Sequence, residues 1–255
     1  PGNHDAYVPG ALDRATRRWA AHMAGDDVDH NPHLTPVFPF VRRRGKVAII
    51  GTSSAKATGP FMATGHFDAS QALLLTETLK ALEHEGLFRV VLIHHPPIRE
   101  ATNWHKRLVG GSRFRAAVAE AGAELVLHGH THENTILSIA GPNGVPVPVI
   151  GVPSASQLPG GRRPPARYNL FGIDGRPGAW ECTMTERGLT GYSLEVREIA
   201  SRRLDPKDLP PPASDADHGA QIGWSAAASA GINPLRRGSG TISIARRKAR
   251  KPKLR

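Results

Sequence analysis

The sequence predicts an α/β protein: helices covering buried sheet strands, followed by a second, mostly antiparallel sheet. Two apolar runs of strand length, "RVVLI" and "AELVL", alternate with two helical segments, which is the pattern of strands covered by helices. Both runs end in histidines, "HHPP" and "HGHTH". A later series of short strands, broken by Gly and Pro, carries the antiparallel expectation.

The elements follow in order. In "ALDRATRRWAAHMA", Leu12, Ala15, Trp19 and Met23 recur at helical spacing, with Arg14, Arg17 and Arg18 off the stripe, so a surface helix is expected. "DDVDHNPHLTP" reads as a loop. "VFPFVRR" and "KVAIIGTS" read as two strands turning at Arg44-Gly45. "FDASQALLLTETLKALEHEG" is a helix with Asp68 or Ser70 as its cap. Its stripe is Leu74, Leu75, Leu79 and Leu82, and Gly86 ends it. "SRFRAAVAEAG" is the second covering helix. "TILSIA", "PVPVIGVPS", "ARYNLFGID", "WECTMTE" and "YSLEVREI" are assigned to the second sheet.

The 255 residues carry a net charge of +11, but its distribution is uneven. Residues 202–255 hold twelve Lys/Arg against four Asp/Glu, leaving +3 for residues 1–201. The expected organisation is therefore a folded body over 1–201 and a basic, largely disordered tail over 202–255. The tail is a solvated end or a non-specific contact for an anionic partner such as nucleic acid or acidic lipid. A body this close to neutral argues against a duplex-binding groove. The single cysteine, Cys182, excludes a disulfide framework within the chain and leans towards a reducing, cytoplasmic setting. No apolar run reaches the roughly 18 residues of a membrane-spanning helix, so no transmembrane segment is expected.

Chemistry collects in three segments: "GNHD" at residues 2–5, "HHPP" at 94–97 and "GHTH" at 129–132. Ligands in open α/β sheets bind beyond the carboxyl ends of strands, which makes the two histidine clusters neighbours. Neutral imidazole suits Zn, Mn and Fe. If the GHTH segment is extended, His130 and His132 point the same way, with Gly129 allowing a tight turn. Taken singly, each segment is an ordinary polar strand end or turn. Their joint occurrence, in this order, points to a metal site.

As a set, the three segments resemble the motifs of the calcineurin-like metallophosphoesterase superfamily. The stretch "GTSSAKATGPFMATGHFDASQALLLTETL" is similar to its bacterial cyclic-nucleotide and glycerophosphodiester phosphodiesterase branch. The resemblance covers about residues 1–200. It implies a two-sheet sandwich flanked by helices, with two divalent ions (Mn, Fe or Zn) at the sheet ends. It implies hydrolysis of a phosphodiester, or a monoester, by metal-bound hydroxide. In that scheme Asn3, His94 and His130 bind one metal and His132 binds the other. His4 donates a proton or hydrogen bond to the phosphoester substrate, and Asp5 orients His4. The loop after "HHPP" lines the substrate pocket, with Arg99 and Arg107 as phosphate-binding candidates; the plainer alternative is solvated loop charge.

The family also has D-x-H and G-D-x-x-D motifs before "GNHD", supplying two ligands of one metal and the bridging carboxylate. This sequence has neither. The expectation is an N-terminally truncated enzyme, lacking the first βαβ unit of the fold and weakly active as written. A nuclease of the same superfamily and a non-catalytic binding module that keeps the fold are the alternatives.

Overall fold

The computed structural model describes residues 1–8, 10–26, 37–191 and 194–213. Helix α1, Ala11–Trp19, leads into one 3-10 turn over Ala20–His22. The helix is shorter than the spacing predicts, and Trp19 of its expected apolar stripe is 56% exposed. Strands β1, Phe40–Arg44, and β2, Val47–Gly51, form the expected hairpin. A two-residue strand β3, Gly65–His66, precedes α2, Ala69–His84. Of its two candidate caps, Asp68 is used: its carboxylate accepts from Gln71 N–H at 2.8 Å, satisfying one of the free amides of the first turn. Leu75, Leu79 and Leu82 are buried, whereas Leu74 of the expected stripe is exposed.

Strand β4, Phe88–Ile93, is followed by the short β5, Leu108–Val109, and α3, Gly111–Ala121. Strands β6, Leu125–His128, β7, Thr135–Ala140, and β8, Pro146–Gly151, come next. Together β1, β2, β4, β6, β8 and β7 form one sheet in that spatial order. Its central strands β2, β4, β6 and β8 are parallel, with an antiparallel partner at each edge. "TILSIA" and "PVPVIG" therefore belong to the main sheet, not to the second sheet as expected. The reason lies in β8, which is buried along nearly its whole length and so takes an interior parallel position.

Strands β9, Arg167–Arg176, β10, Ala179–Leu189, and β11, Val196–Arg203, form the separate antiparallel sheet, with β10 in the middle. The six-stranded sheet is covered on both faces. On one, Ala48, Ile50, Val91, Ile93 and Val126 meet Leu75, Leu79, Phe114 and Val118 of the two helices. Arg89 ties this layer together: its guanidinium donates to both oxygens of Glu124 and to the Leu79 and Ala121 carbonyls. On the other face, Phe88, Val90, Leu125 and Ile150 pack with Cys182 and Met184 of β10. Alternation along each strand divides its residues between the two cores.

The expected boundary after residue 201 falls inside β11. Arg202 and Arg203 pair with Met184 and Thr183, and Leu204 is buried. The Ser138 hydroxyl donates to the Pro210 carbonyl at 2.6 Å, and Ala213 N–H donates to the Ser138 carbonyl. Residues 202–213 are thus part of the folded body: their Pro and Asp content resembles a linker, but their backbone groups are bonded to β10 and β7. The rest of the predicted tail, and the loop over 27–36, lie outside the described residues. Among the described residues no helix is long and apolar enough to cross a membrane.

Candidate metal centre

The register of the sheet builds the site. Strands β4 and β6 pair in parallel with Ile93 opposite His128. The residues that follow, His94-His95 and Gly129–His132, therefore leave the sheet side by side, and Gly129 N–H donates to the His94 carbonyl at 3.1 Å. Asn3 sits on a 3-10 turn over Asn3–Asp5 and is 1% exposed. Its side-chain oxygen lies 2.9 Å from His94 Nε2 and 3.1 Å from His130 Nδ1. Asn3 Nδ2 donates to the Tyr7 hydroxyl, which fixes the amide with its oxygen towards the imidazoles.

The structure thus brings together Asn3, His94 and His130. His95 joins them, and the ligand-capable nitrogens of His94, His95 and His130 lie within 4.8 Å of one another. The nitrogens of His95 are already engaged, however. Its Nε2–H donates to the Ala63 carbonyl at 3.1 Å, and Nδ1 accepts from the Ser54 hydroxyl at 2.7 Å. His130 Nε2, by contrast, is buried and makes no hydrogen bond of normal geometry, although the Lys106 carbonyl acts on the ring. Two glycines admit the rings: a Cβ at Gly2 would collide with the His94 ring and one at Gly65 with the His95 ring.

His130 and His132 do not project together from an extended segment. Both have left-handed backbone, φ 67° and 59°, so GHTH is a tight turn. Gly129 is not among the residues of positive φ; the histidines themselves hold that conformation, a strained one for a residue with a side chain. The turn sends His130 to Asn3 and leaves His132 outside the cluster, where Arg163, His4 and Lys106 act on it electrostatically.

Burial sets the protonation of the cluster. It pushes His94 and His130 down to about 4 and His95 down to about 3, and neighbouring positive or protonatable groups add to the shift. Asp5 works in the opposite direction on His94, and the Lys106 carbonyl on His130, without overturning it. Near neutral pH these imidazoles are uncharged, and His94 and His130, unlike His95, can offer a lone pair to a cation. The donor set fits one. The Asn3 oxygen stands about one ligand–ligand edge from each of the two imidazole nitrogens for metal–ligand bonds of about 2.1 Å.

His4 is exposed and lies edge-on to Tyr7, ring centres 4.8 Å apart. Asp5 accepts from Gly2 N–H at 2.8 Å and makes no hydrogen bond to His4, so the expected orienting contact is replaced by one that closes the 3-10 turn. Arg99 and Arg107 are brought together, but in a cleft of about 240 Å³ that is lined also by Pro96, Pro97 and Arg115 and by no histidine. Arg107 is committed by its carbonyl, which accepts from Gly65 N–H where β3 pairs with β5. The preceding residue, Lys106, ends the 3-10 turn Trp104–Lys106 and is a cation that acts electrostatically on both His130 and His132. Arg163, whose guanidinium donates to the Thr131 carbonyl, is a second, acting on His132. Nothing in the sequence near Arg163 or Ser54 marks them as neighbours of the cluster. Asn134, next to the motif, turns away and donates to Glu186 of β10.

The fold and site together define a mixed α/β protein with a buried imidazole cluster able to hold a metal ion. No family model matches the sequence, and no curated protein matches it. Among solved structures, a Vps29 double mutant from Entamoeba histolytica aligns with 21% identity and a TM-score of 0.23. The alignment covers 33% of this chain and 46% of that one, so the chain spans less than half of that protein's length. A score this low defines neither fold nor site.

Proposed function

We propose that this protein is a divalent-metal-dependent phosphoesterase of the calcineurin-like metallophosphoesterase type, hydrolysing a phosphodiester or, less favourably, a monoester. The observation that carries the reading is the convergence of His94 Nε2 and His130 Nδ1 on the Asn3 oxygen, at 2.9 and 3.1 Å. Asn3, His94 and His130 are the residues that would hold Mn, Fe or Zn. A cation there supplies Lewis-acid polarisation of a phosphoryl oxygen and of water. The chain's own groups do the rest. Lys106 and Arg163 draw the phosphate anion towards the histidines. His4, exposed beside the cluster, hands a proton to the leaving oxygen.

One observation favours a second reading, a metal-binding module without turnover. Among the described residues the cluster offers imidazoles and one amide but no carboxylate, and a pair of close cations needs anionic ligands between them. His132 belongs to the second cation in the two-metal form of the site.

The test uses the full chain dialysed against Mn or Zn, with bis(p-nitrophenyl) phosphate as substrate. Metal-dependent release of nitrophenolate supports the phosphoesterase, and hydrolysis of methyl phenyl phosphate, whose poorer leaving oxygen needs a proton, should fall about 10²-fold or more in His4→Ala. Metal uptake with no turnover selects the module. Turnover of methyl phenyl phosphate unchanged in His4→Ala removes the proton-donor role.

A further inference from the structure

One cleft beside the cluster is lined by none of the three candidate ligands. It has a volume of about 540 Å³ and is lined by Tyr7, Phe61, Met62, His105 and Lys106 among others. That is the size of a small-molecule subsite. Its walls are bonded to the histidine cluster at two points. Tyr7, on one side, accepts from the Asn3 amide. On the other, the segment leaving Phe61 is anchored at Ala63, whose carbonyl accepts from His95 and whose N–H donates to the His105 carbonyl. Lys106 lines the cleft and acts electrostatically on both His130 and His132.

Phe61 itself is costly in two ways. Its side chain is 98% exposed, and its backbone has φ 64°, a region that a phenylalanine rarely adopts. The loop enforces this conformation: Met62 N–H donates to the Gly59 carbonyl, and the Thr58 hydroxyl to the Met62 carbonyl. An exposed ring held at the rim of a cleft is a stacking surface awaiting a partner.

We propose that this cleft binds the flat, aromatic ester group of the substrate, with Phe61 as the specificity-determining stacking residue and Lys106 as the phosphate anchor. The proposal rests on the phosphoesterase reading. It commits that site to phosphoesters of aromatic or heteroaromatic groups over those of small alkyl groups. The charge agrees: a cationic inner end for the phosphate and an uncharged outer wall for the ring.

The experiment measures binding to the full chain, by ligand-observed NMR, of inorganic phosphate, methyl phosphate and phenyl phosphate. Phenyl phosphate is expected to bind about tenfold more tightly than methyl phosphate. Phe61→Ala, a change at an exposed position, is expected to reduce that preference to about twofold and leave methyl phosphate unchanged. Lys106→Ala should weaken both esters alike and keep the preference. Equal binding of the two esters by the native chain, or a preference that survives Phe61→Ala, overturns the proposal. If inorganic phosphate itself fails to bind, the phosphoesterase reading has failed, and phenol alone decides for the cleft. Line broadening of phenol that Phe61→Ala abolishes supports the aromatic subsite; no broadening overturns it.

Discussion

Acidification from pH 7 to pH 5 should destabilise the metal-free protein steeply, and the amount follows from three buried rings. In the unfolded chain His94, His95 and His130 titrate near the ordinary value of about 6.5. In the folded chain burial holds them at about 4, about 3 and about 4. Above pH 6.5 both states carry neutral imidazoles and these groups contribute no pH dependence. Below it the unfolded chain takes up protons that the folded chain refuses, so stability falls with falling pH until the folded values are reached. Between pH 7 and pH 5 each ring accounts for up to about 2 kcal/mol, or ~5 kcal/mol together, against a typical total of about 5–15 kcal/mol. Urea unfolding at pH 7 and pH 5, in excess chelator, reads the difference as a fall in the midpoint at constant slope. Stability equal within about 1 kcal/mol at the two pH values would refute the reasoning, because the rings would then be titrating as exposed histidines do.

Three further perturbations separate the parts of the site. Gly2→Ala should push the His94 ring out of place and weaken metal binding by about 10–100-fold with little change in unfolding midpoint, measured by competition with a chelating dye. Ser54→Ala removes the hydroxyl that bonds His95 Nδ1 and should cost about 1–3 kcal/mol in urea unfolding, yet leave metal stoichiometry intact, since His95 positions and does not ligate. Cys182, buried against the sheet with its thiol raised to about 11 by burial, should resist thiol reagents at pH 8 until the protein unfolds; rapid labelling of the native chain would contradict its place in the core.

Much of this arrangement is legible in the sequence, for identifiable reasons. "FRVVLI" and "AELVL" are apolar on both faces, so they had to be interior strands, and their pairing alone makes neighbours of His94 and the GHTH turn. Asp68 and the leucines of α2 follow from helical spacing, with Leu74 misplaced because the stripe is one residue narrower than the run of three leucines suggests. What sequence could not supply is direction. The left-handed backbone at His130 and His132 separates two residues that an extended reading aligns. The 3-10 turn Trp104–Lys106 gives way through Arg107 to the two-residue β5, so that Lys106 acts on the cluster while Arg107 lines a cleft with Arg99. Two-residue strands have no periodicity to detect. The assignment of β7 and β8 to the wrong sheet has a similar origin: β7 is short and followed by Gly141-Pro142, β8 is short and contains two prolines, and only their partners distinguish them from β9 to β11.

The central claim is that Asn3, His94 and His130 hold a cation, and metal content of the intact chain tests it most directly. The chain is dialysed against Mn or Zn, freed of excess ion, and measured by elemental analysis beside His130→Ala. The account predicts about one tightly held ion per chain, lost in His130→Ala while the unfolding midpoint in chelator is retained. No bound ion in the native chain, or an ion content unchanged by His130→Ala, would contradict it.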